Sequence, residues 1–177
     1  KIKKWNLLEN NIIHAIEIRG DKTYFFTQKN GVFVADANGL KPWSNPLNAI
    51  LKSGIINTAK FINPDKLIIG TASKGVFVVN ERNNSYTNIN RENVLMNNSI
   101  LSIGFDKEND LWLGLDNGIA HIEINSPIAI FSDNSGKLGS VYAVSKTNNG
   151  YLMASNHGIF NYENKVLSLF PNSQGQA

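Results

Sequence analysis

Residues 110–122 read DLWLGLDNGIAHI, two short apolar runs joined by Asp116-Asn117-Gly118. An Asn-Gly pair supplies the positive φ angles that a tight hairpin needs, so the stretch predicts two antiparallel strands joined by a glycine turn. The same pattern recurs around three more glycines, and successive turn glycines are separated by 44, 43 and 40 residues. The four turn glycines are Gly31, Gly75, Gly118 and Gly158.

A repeat of this length is typical of the blades of a β-propeller. Each repeat predicts a four-stranded antiparallel meander, and the four fourth strands end at Trp43, Ile89, Phe131 and Phe170. The predicted blades cover approximately 11–45, 54–90, 98–132 and 139–171. Residues 1–7, where Trp5 resembles Trp43, predict the last strand of a preceding blade. We therefore interpret 1–177 as a single all-β propeller fragment with four complete blades plus one extra strand.

An arc of a larger ring is favoured over closure of four blades alone. Four-bladed closure usually needs extra fastening, and the chain contains no cysteine. The third strands carry consecutive apolar residues, such as 32–34 and 76–78, which predicts that both faces of a blade are covered. The second strands place a large residue, such as Trp112, two positions before a small one, and we interpret Trp112 as a packing residue. The end blades of an arc would expose apolar faces, so we expect contact with the rest of a parent propeller or with a second copy.

Composition narrows the function classes. The chain is 42% hydrophobic and 18% charged, as in folded proteins, and its net charge of +3 comes from scattered lysines. Nucleic-acid binding requires a dense basic face, so we expect no nucleic-acid partner. No apolar run is long enough to span a membrane, so we expect no membrane insertion by this segment. Because the sequence opens inside repeat-like residues without an initiator Met, we interpret it as part of a longer polypeptide.

Catalytic and metal-binding patterns are missing from the sequence. His14, His121 and His157 are more than thirty residues apart, so we expect no metal site and no cofactor. Asp106 and Asp110 fall within one blade, but acidic residues are common in turns. Nucleophile elbows, zinc-binding helices and phosphate loops are not found, and we expect no enzymatic activity. A propeller-fold polysaccharide lyase or glycosidase is the remaining enzymatic alternative.

The third repeat resembles the two-component regulator propeller repeat. The resemblance rests on LSIGFD at 101–106, DLWLG at 110–114 and NGIAHI at 117–122, and more weakly on LIIGT at 67–71 and GVF at 75–77. The first and fourth repeats depart from the motif, with Phe25 and Leu152 in place of Trp. The matched residues are packing and turn residues, so the resemblance transfers fold and context without any binding residue.

The resemblance implies an extracytoplasmic, periplasmic sensor of a hybrid histidine kinase of the kind found in Bacteroidetes. It also implies recognition of an oligosaccharide or another glycan-derived ligand, with signalling to a kinase outside this chain. A protein–protein interaction propeller is the main alternative.

Propeller geometry predicts ligand binding on the face that carries the glycine hairpins and the connections between blades, because recognition residues usually lie on loops of a rigid scaffold. The candidate residues in the hairpins are Asn30, Lys74, Asn117 and His157, and those in the connections are Trp43, Asn97 and Asn134.

Overall fold

The computed structural model describes residues 6–126, 133, 135–164 and 166–175. These residues form fifteen strands, one 3₁₀ turn at Asn6–Leu8 and one short helix, α1, at Leu47–Leu51. The strands are β1 Ile13–Arg19, β2 Lys22–Thr27, β3 Val32–Asp36, β4 Gly39–Pro42, β5 Ile56–Asn63, β6 Lys66–Thr71, β7 Val76–Asn80, β8 Ser85–Ile89, β9 Ile100–Phe105, β10 Leu111–Leu115, β11 Gly118–Ile122, β12 Val141–Lys146, β13 Gly150–Ser155, β14 Gly158–Glu163 and β15 Val166–Leu169.

The strands form four antiparallel sheets in which neighbours in sequence are neighbours in space. Blade 1 is β1–β4, blade 2 is β5–β8, blade 3 contains β9–β11, and blade 4 is β12–β15. The predicted all-β class and its propeller blades are confirmed. The fourth strand predicted for blade 3, which ends at Phe131, lies outside the described residues, as does Trp5.

The start of the described chain differs from the prediction. Asn6–Leu8 form a 3₁₀ turn where the strand at 1–7 was expected to end. The polar turn that follows explains this difference, because Asn10 adopts a positive φ of 63° and the Asn11 side chain donates to the Leu7 carbonyl at 3.2 Å. These bonds hold the backbone in a local turn instead of in a sheet ladder.

The chain divides into two compact units, Lys1–Ala129 and Ile130–Ala177. Blades 1 to 3 belong to the first unit, where they pack face to face. Leu67 and Ile69 of β6 pack against blade 1, whereas Ile68, between them, packs against blade 3. Both faces of blade 2 are therefore buried, which is the reason for its consecutive apolar residues. The first strands of successive blades lie side by side, β1 next to β5 and β5 next to β9, as in a radial arrangement.

Helix α1 lies in the connection between blades 1 and 2 and is absent from the sequence prediction. Its Leu47 and Leu51 are fully buried in the core between these blades. Asn48 is also buried, and its side chain accepts from the Val32 N–H at 2.8 Å and donates to the Val32 and Trp43 carbonyls. This asparagine therefore joins α1 to the third strand of blade 1.

Side chains alternate in burial along the central strand of blade 3. Leu111 and Leu113 are buried against blade 2, whereas the intervening Trp112 is 42% exposed. Successive strand residues point to opposite faces, so Trp112 lies on the face turned away from blade 2. Its ring stacks on His121 with centroids 4.5 Å apart.

The second unit contains blade 4 with a small core of its own. Leu138, Met153 and Phe160 are buried together, and Leu167 and Leu169 pack against them. All six residues of its first strand, β12, are exposed.

Candidate functional site

In three of the glycine hairpins, a Ser or Thr hydroxyl at the equivalent position bonds across the predicted ligand-binding turn. The hydroxyl donates to the carbonyl of the turn glycine at 2.7, 2.8 and 3.0 Å and accepts the N–H of the preceding residue at 3.0, 2.9 and 3.1 Å. The residues are Thr27, Thr71 and Ser155. Because each hydroxyl bonds both sides of its turn, the backbones at Asn30, Lys74 and His157 are held in place.

Side chains of the predicted residues lie in different settings. Asn30 is exposed and donates to the Asn11 side chain at 2.6 Å, and Asn117 is exposed as well. Asn97 is half-buried and accepts the Ser99 N–H at 2.8 Å, a local turn contact. In the second unit, Nδ1 of the exposed His157 lies 3.0 Å from the Lys137 carbonyl oxygen. Asn134 lies outside the described residues.

Trp43 is a core residue in the first unit. Its side chain is 7% exposed and belongs to the cluster between blades 1 and 2, and its backbone N–H donates to the Val32 carbonyl at 2.9 Å. Position at the end of a fourth strand suggested a loop residue, but packing against the next blade buries the indole.

Lys74 lies at a cleft of about 430 Å³ on the predicted face of blade 2. The cleft runs between the β6–β7 hairpin, β8 and the connection to blade 3. Its lining residues are Ile50, Ser73, Lys74, Phe77, Tyr86, Asn88, Asn90, Glu92 and Asn98.

Asparagine side chains form the frame of this cleft. Asn88 donates to the Lys74 carbonyl at 2.9 Å and to the Val76 carbonyl at 3.2 Å, and Asn90 donates to the Asn88 side chain at 2.7 Å. The Asn98 side chain accepts the Arg91 N–H at 2.8 Å. These bonds fix the hairpin, the end of β8 and the connection relative to one another.

Four polar groups of the cleft have no hydrogen-bond partner among the described residues. They are Nζ of Lys74, the hydroxyls of Ser73 and Tyr86, and Nδ2 of Asn98. The Tyr86 ring is 38% exposed and packs edge-on against Phe77, with centroids 5.9 Å apart. An ammonium, two hydroxyls and an amide beside an aromatic ring complement a ligand rich in hydroxyl or carboxylate oxygens.

Tyr86 and Asn98 were missed by sequence reasoning. Tyr86 lies in a fourth strand, where no turn signal points to a binding role, and Asn98 is one residue away from the predicted Asn97. The density of asparagines between 88 and 98 is the signal that could have indicated this connection.

Blade 3 brings Asp106, Asp110 and His121 within 4.8 Å of one another. Oδ2 of Asp106 accepts from Trp112 Nε1 at 2.9 Å and lies 3.3 Å from His121 Nε2, while Oδ1 accepts the N–H groups of Glu108 and Asp110. Two hydrogen bonds hold the pKa of the Asp106 carboxyl below its ordinary value. The larger effect comes from Trp112 and the next from the backbone N–H of Asp110. Both carboxylate oxygens are already bonded, so we interpret the cluster as a turn that orients Trp112.

Three solved structures share the fold of this chain. The extracellular domain of BT3049 from B. thetaiotaomicron, named as a hybrid two-component system, is 15% identical with a TM-score of 0.51, and the match covers 92% of this chain and 23% of that one. The extracellular domain of BT4673 from the same organism, named as a one-component system, is 20% identical with a TM-score of 0.54, covering 89% and 22%. PorZ, a surface component of the type-IX secretion system of Porphyromonas gingivalis, is 16% identical with a TM-score of 0.56, covering 80% and 21%.

These similarities show the fold. The chain spans about a fifth of the length of the three structures. Two of them are extracellular domains. No protein-family model and no curated protein matches the chain. In the described part of the chain, no helix has the length and apolar character needed to cross a membrane.

Proposed function

We propose that this chain is an extracytoplasmic, periplasmic ligand-sensing propeller fragment of a hybrid two-component sensor. The repeat resemblance and the fold shared with extracellular domains of Bacteroides proteins support the sensor role. The observation that carries ligand binding is the cleft at Lys74, where four polar groups, one of them the Tyr86 hydroxyl, have no hydrogen-bond partner among the described residues. We propose a glycan-derived ligand, because hydroxyl-rich sugars match hydrogen-bonding side chains set beside an aromatic ring. The kinase that receives the signal lies outside this chain.

The cleft also offers a route from the ligand to the neighbouring blade. The Gly75 N–H donates to the Asn98 carbonyl at 3.0 Å, which joins the hairpin that carries Lys74 to the connection that leads into blade 3. A ligand bonded to both Lys74 and the Asn98 amide stabilises this junction. Occupancy then changes the free energy of the contact between blades 2 and 3, which is the differential interaction that a sensor requires.

Calorimetric titration with a panel of neutral and uronic-acid oligosaccharides tests this proposal. We expect Lys74→Ala to weaken binding of a uronic-acid oligosaccharide about tenfold or more, since a hydrogen bond from a charged group contributes about 1.5–3 kcal/mol. Tyr86→Phe, which removes only the hydroxyl, should weaken binding less. Lys107→Ala, at an exposed lysine in the turn between β9 and β10, is the matched control and should bind as the unchanged chain does.

Equal affinity in Lys74→Ala, Tyr86→Phe and the control would contradict the location of the site. Absence of binding across the panel would remove the glycan proposal and favour the interaction propeller. Exposed apolar side chains give that second candidate its support: on blade 3, Trp112 is 42% and Ile119 73% exposed, and on blade 4, Tyr142 is 76% exposed. A protein partner whose affinity falls on Ile119→Asp would establish it.

A further inference from the structure

A separate cleft of about 350 Å³ lies at the glycine hairpin of blade 4, within the second unit. The hairpin, β14, β15 and the segments that precede and follow the blade all contribute to it. Its lining residues are Lys137, His157, Phe160, Leu167, Leu169 and Gln174. The volume falls within the range of about 300–1,000 Å³ that is typical of small-molecule sites.

This cleft occupies the part of blade 4 that corresponds to the Lys74 cleft of blade 2. Counted from the turn glycine, the ladder of the third and fourth strands has the same register in both blades, so Leu169 takes the place of Asn88 and Leu167 that of Tyr86. Two leucines therefore stand where blade 2 has an amide and a phenol. A ligand of the blade 4 cleft needs an apolar part that a ligand of the Lys74 cleft does not need.

The walls of the cleft supply a matching apolar surface. Phe160 is buried in the small core of blade 4, whereas Leu167 and Leu169 are half-buried and pack against this core. The exposed parts of the two leucines remain in contact with water. Covering them with the hydrocarbon chain of a ligand is favourable, because apolar surface is removed from water on both sides.

The rim of the cleft carries positive charge. Lys137 is exposed, and its ammonium has no hydrogen bond or ion pair with the described residues. None of the six lining residues is acidic. An ammonium without a carboxylate beside it in the cleft favours an anionic ligand group, since a carboxylate accepts a charge-assisted hydrogen bond from it.

Contacts between the hairpin and the preceding segment hold this rim in place. Nδ1 of His157 donates to the Lys137 carbonyl at 3.0 Å, because a carbonyl oxygen can only accept. The Asn156 side chain accepts the Ser140 N–H at 2.7 Å. Gly139 leaves room for the imidazole, since a Cβ there would lie 2.9 Å from Nδ1. The backbone that carries Lys137 is therefore fixed against the hairpin of the cleft.

We propose that this blade 4 cleft binds a small monocarboxylate with an apolar chain, whose carboxylate bonds the Lys137 ammonium and whose chain lies on Leu167 and Leu169. Gln174 offers an amide donor at the same rim. All of these residues belong to the second unit, so the inference does not depend on glycan recognition at Lys74.

Calorimetric titration of the whole chain with acetate, butyrate and hexanoate tests the inference, and hexylamine is the probe with the same chain and the opposite charge. We expect hexanoate to bind at millimolar concentration or below. Affinity should rise about two- to fourfold for each CH₂ group that reaches the leucines. Hexylamine should bind about fivefold more weakly than hexanoate, or less tightly still, because it cannot pair with Lys137.

Two variants separate the charge from the apolar wall. Lys137→Ala should weaken hexanoate about fivefold, the effect of one partly exposed ion pair, and should leave the affinity for hexanol unchanged. Leu169→Asn, which introduces the residue of blade 2, should reduce the gain in affinity between acetate and hexanoate. Lys146→Ala, at an exposed lysine of β12, is the matched control and should bind as the unchanged chain does.

The proposal is overturned if hexanoate does not bind at millimolar concentration, if hexylamine binds equally well, or if Lys137→Ala equals the control. Circular dichroism checks that Leu169→Asn is folded, and ¹⁵N–¹H spectra of the unchanged chain decide the location if it is not. Hexanoate should shift the amides of Lys137, His157 and Leu169 and leave that of Lys74 in place. Shifts confined to the other blades also overturn the proposal.

Discussion

At the scale of single residues, the pKa of Tyr24 depends on the contact between blades 1 and 2. Its ring is buried, and its hydroxyl donates to Glu81 of the neighbouring blade. Burial, and then the charge of Glu81, raise the pKa of Tyr24 from 10.0 to about 12. The folded chain therefore keeps a proton that the unfolded chain releases, so this contribution to stability is complete below about pH 10 and is lost between pH 10 and 12.

We expect the free energy of unfolding to fall by up to about 3 kcal/mol over this pH interval, since one pKa unit corresponds to about 1.4 kcal/mol. Tyr24→Phe should be less stable at neutral pH and should lack this part of the decline. Urea unfolding at several alkaline pH values measures the difference between the two chains. Parallel curves for both chains from pH 9 to pH 12 would contradict the assigned contact.

At the scale of one element, the glycine hairpins repeat in sequence but differ in the space around them. Gly75 has a φ of +76°, and a Cβ there would clash with the Ile89 carbonyl oxygen of the adjacent strand β8. Gly118 has a φ of +96°, but a Cβ there meets no atom of the described residues within 4 Å. We expect Gly118→Ala to cost about 1–3 kcal/mol from backbone strain alone, and Gly75→Ala to cost clearly more. Thermal unfolding followed by circular dichroism compares the two.

Equal losses at the two positions would show that backbone conformation alone sets the cost. The contrast follows from pairing: the β6–β7 hairpin of blade 2 lies against β8 and its connection, whereas no described atom approaches a Cβ at Gly118.

At the scale of the whole molecule, most of the buried hydrophobic residues described in the first unit belong to the two clusters between blades. Leu67 is fully buried between blades 1 and 2, whereas Ile18, also on a strand, is 74% exposed. We expect Leu67→Ala to lower the free energy of unfolding by about 2–5 kcal/mol. Ile18→Ala, the matched control, should change it by less than about 0.5 kcal/mol. Chemical denaturation measures both, and similar values would indicate that blades are stable without their neighbours.

The sequence by itself determined the number of repeats, the order of strands within a blade and the burial of blade 2 on both faces. These properties depend on local turn residues and on the alternation of side chains along a strand, and both can be read within some forty residues. Helix α1 was not predicted, because its stability comes from the packing of Leu47 and Leu51 between two blades and not from a local helical pattern.

Only the tertiary structure decided which polar groups meet. Tyr24 and Glu81 are 57 residues apart, and Arg19 and Asp65 are 46 apart, so no local pattern joins them. Trp43 was a candidate for ligand binding because of its position at a strand end, but packing of one blade on the next buried it. The same packing placed Lys74 beside Tyr86 and Asn98. The physical reason is that the repeat specifies each sheet, whereas a binding cleft arises from side chains of separate strands and connections brought together by burial of the apolar faces between blades.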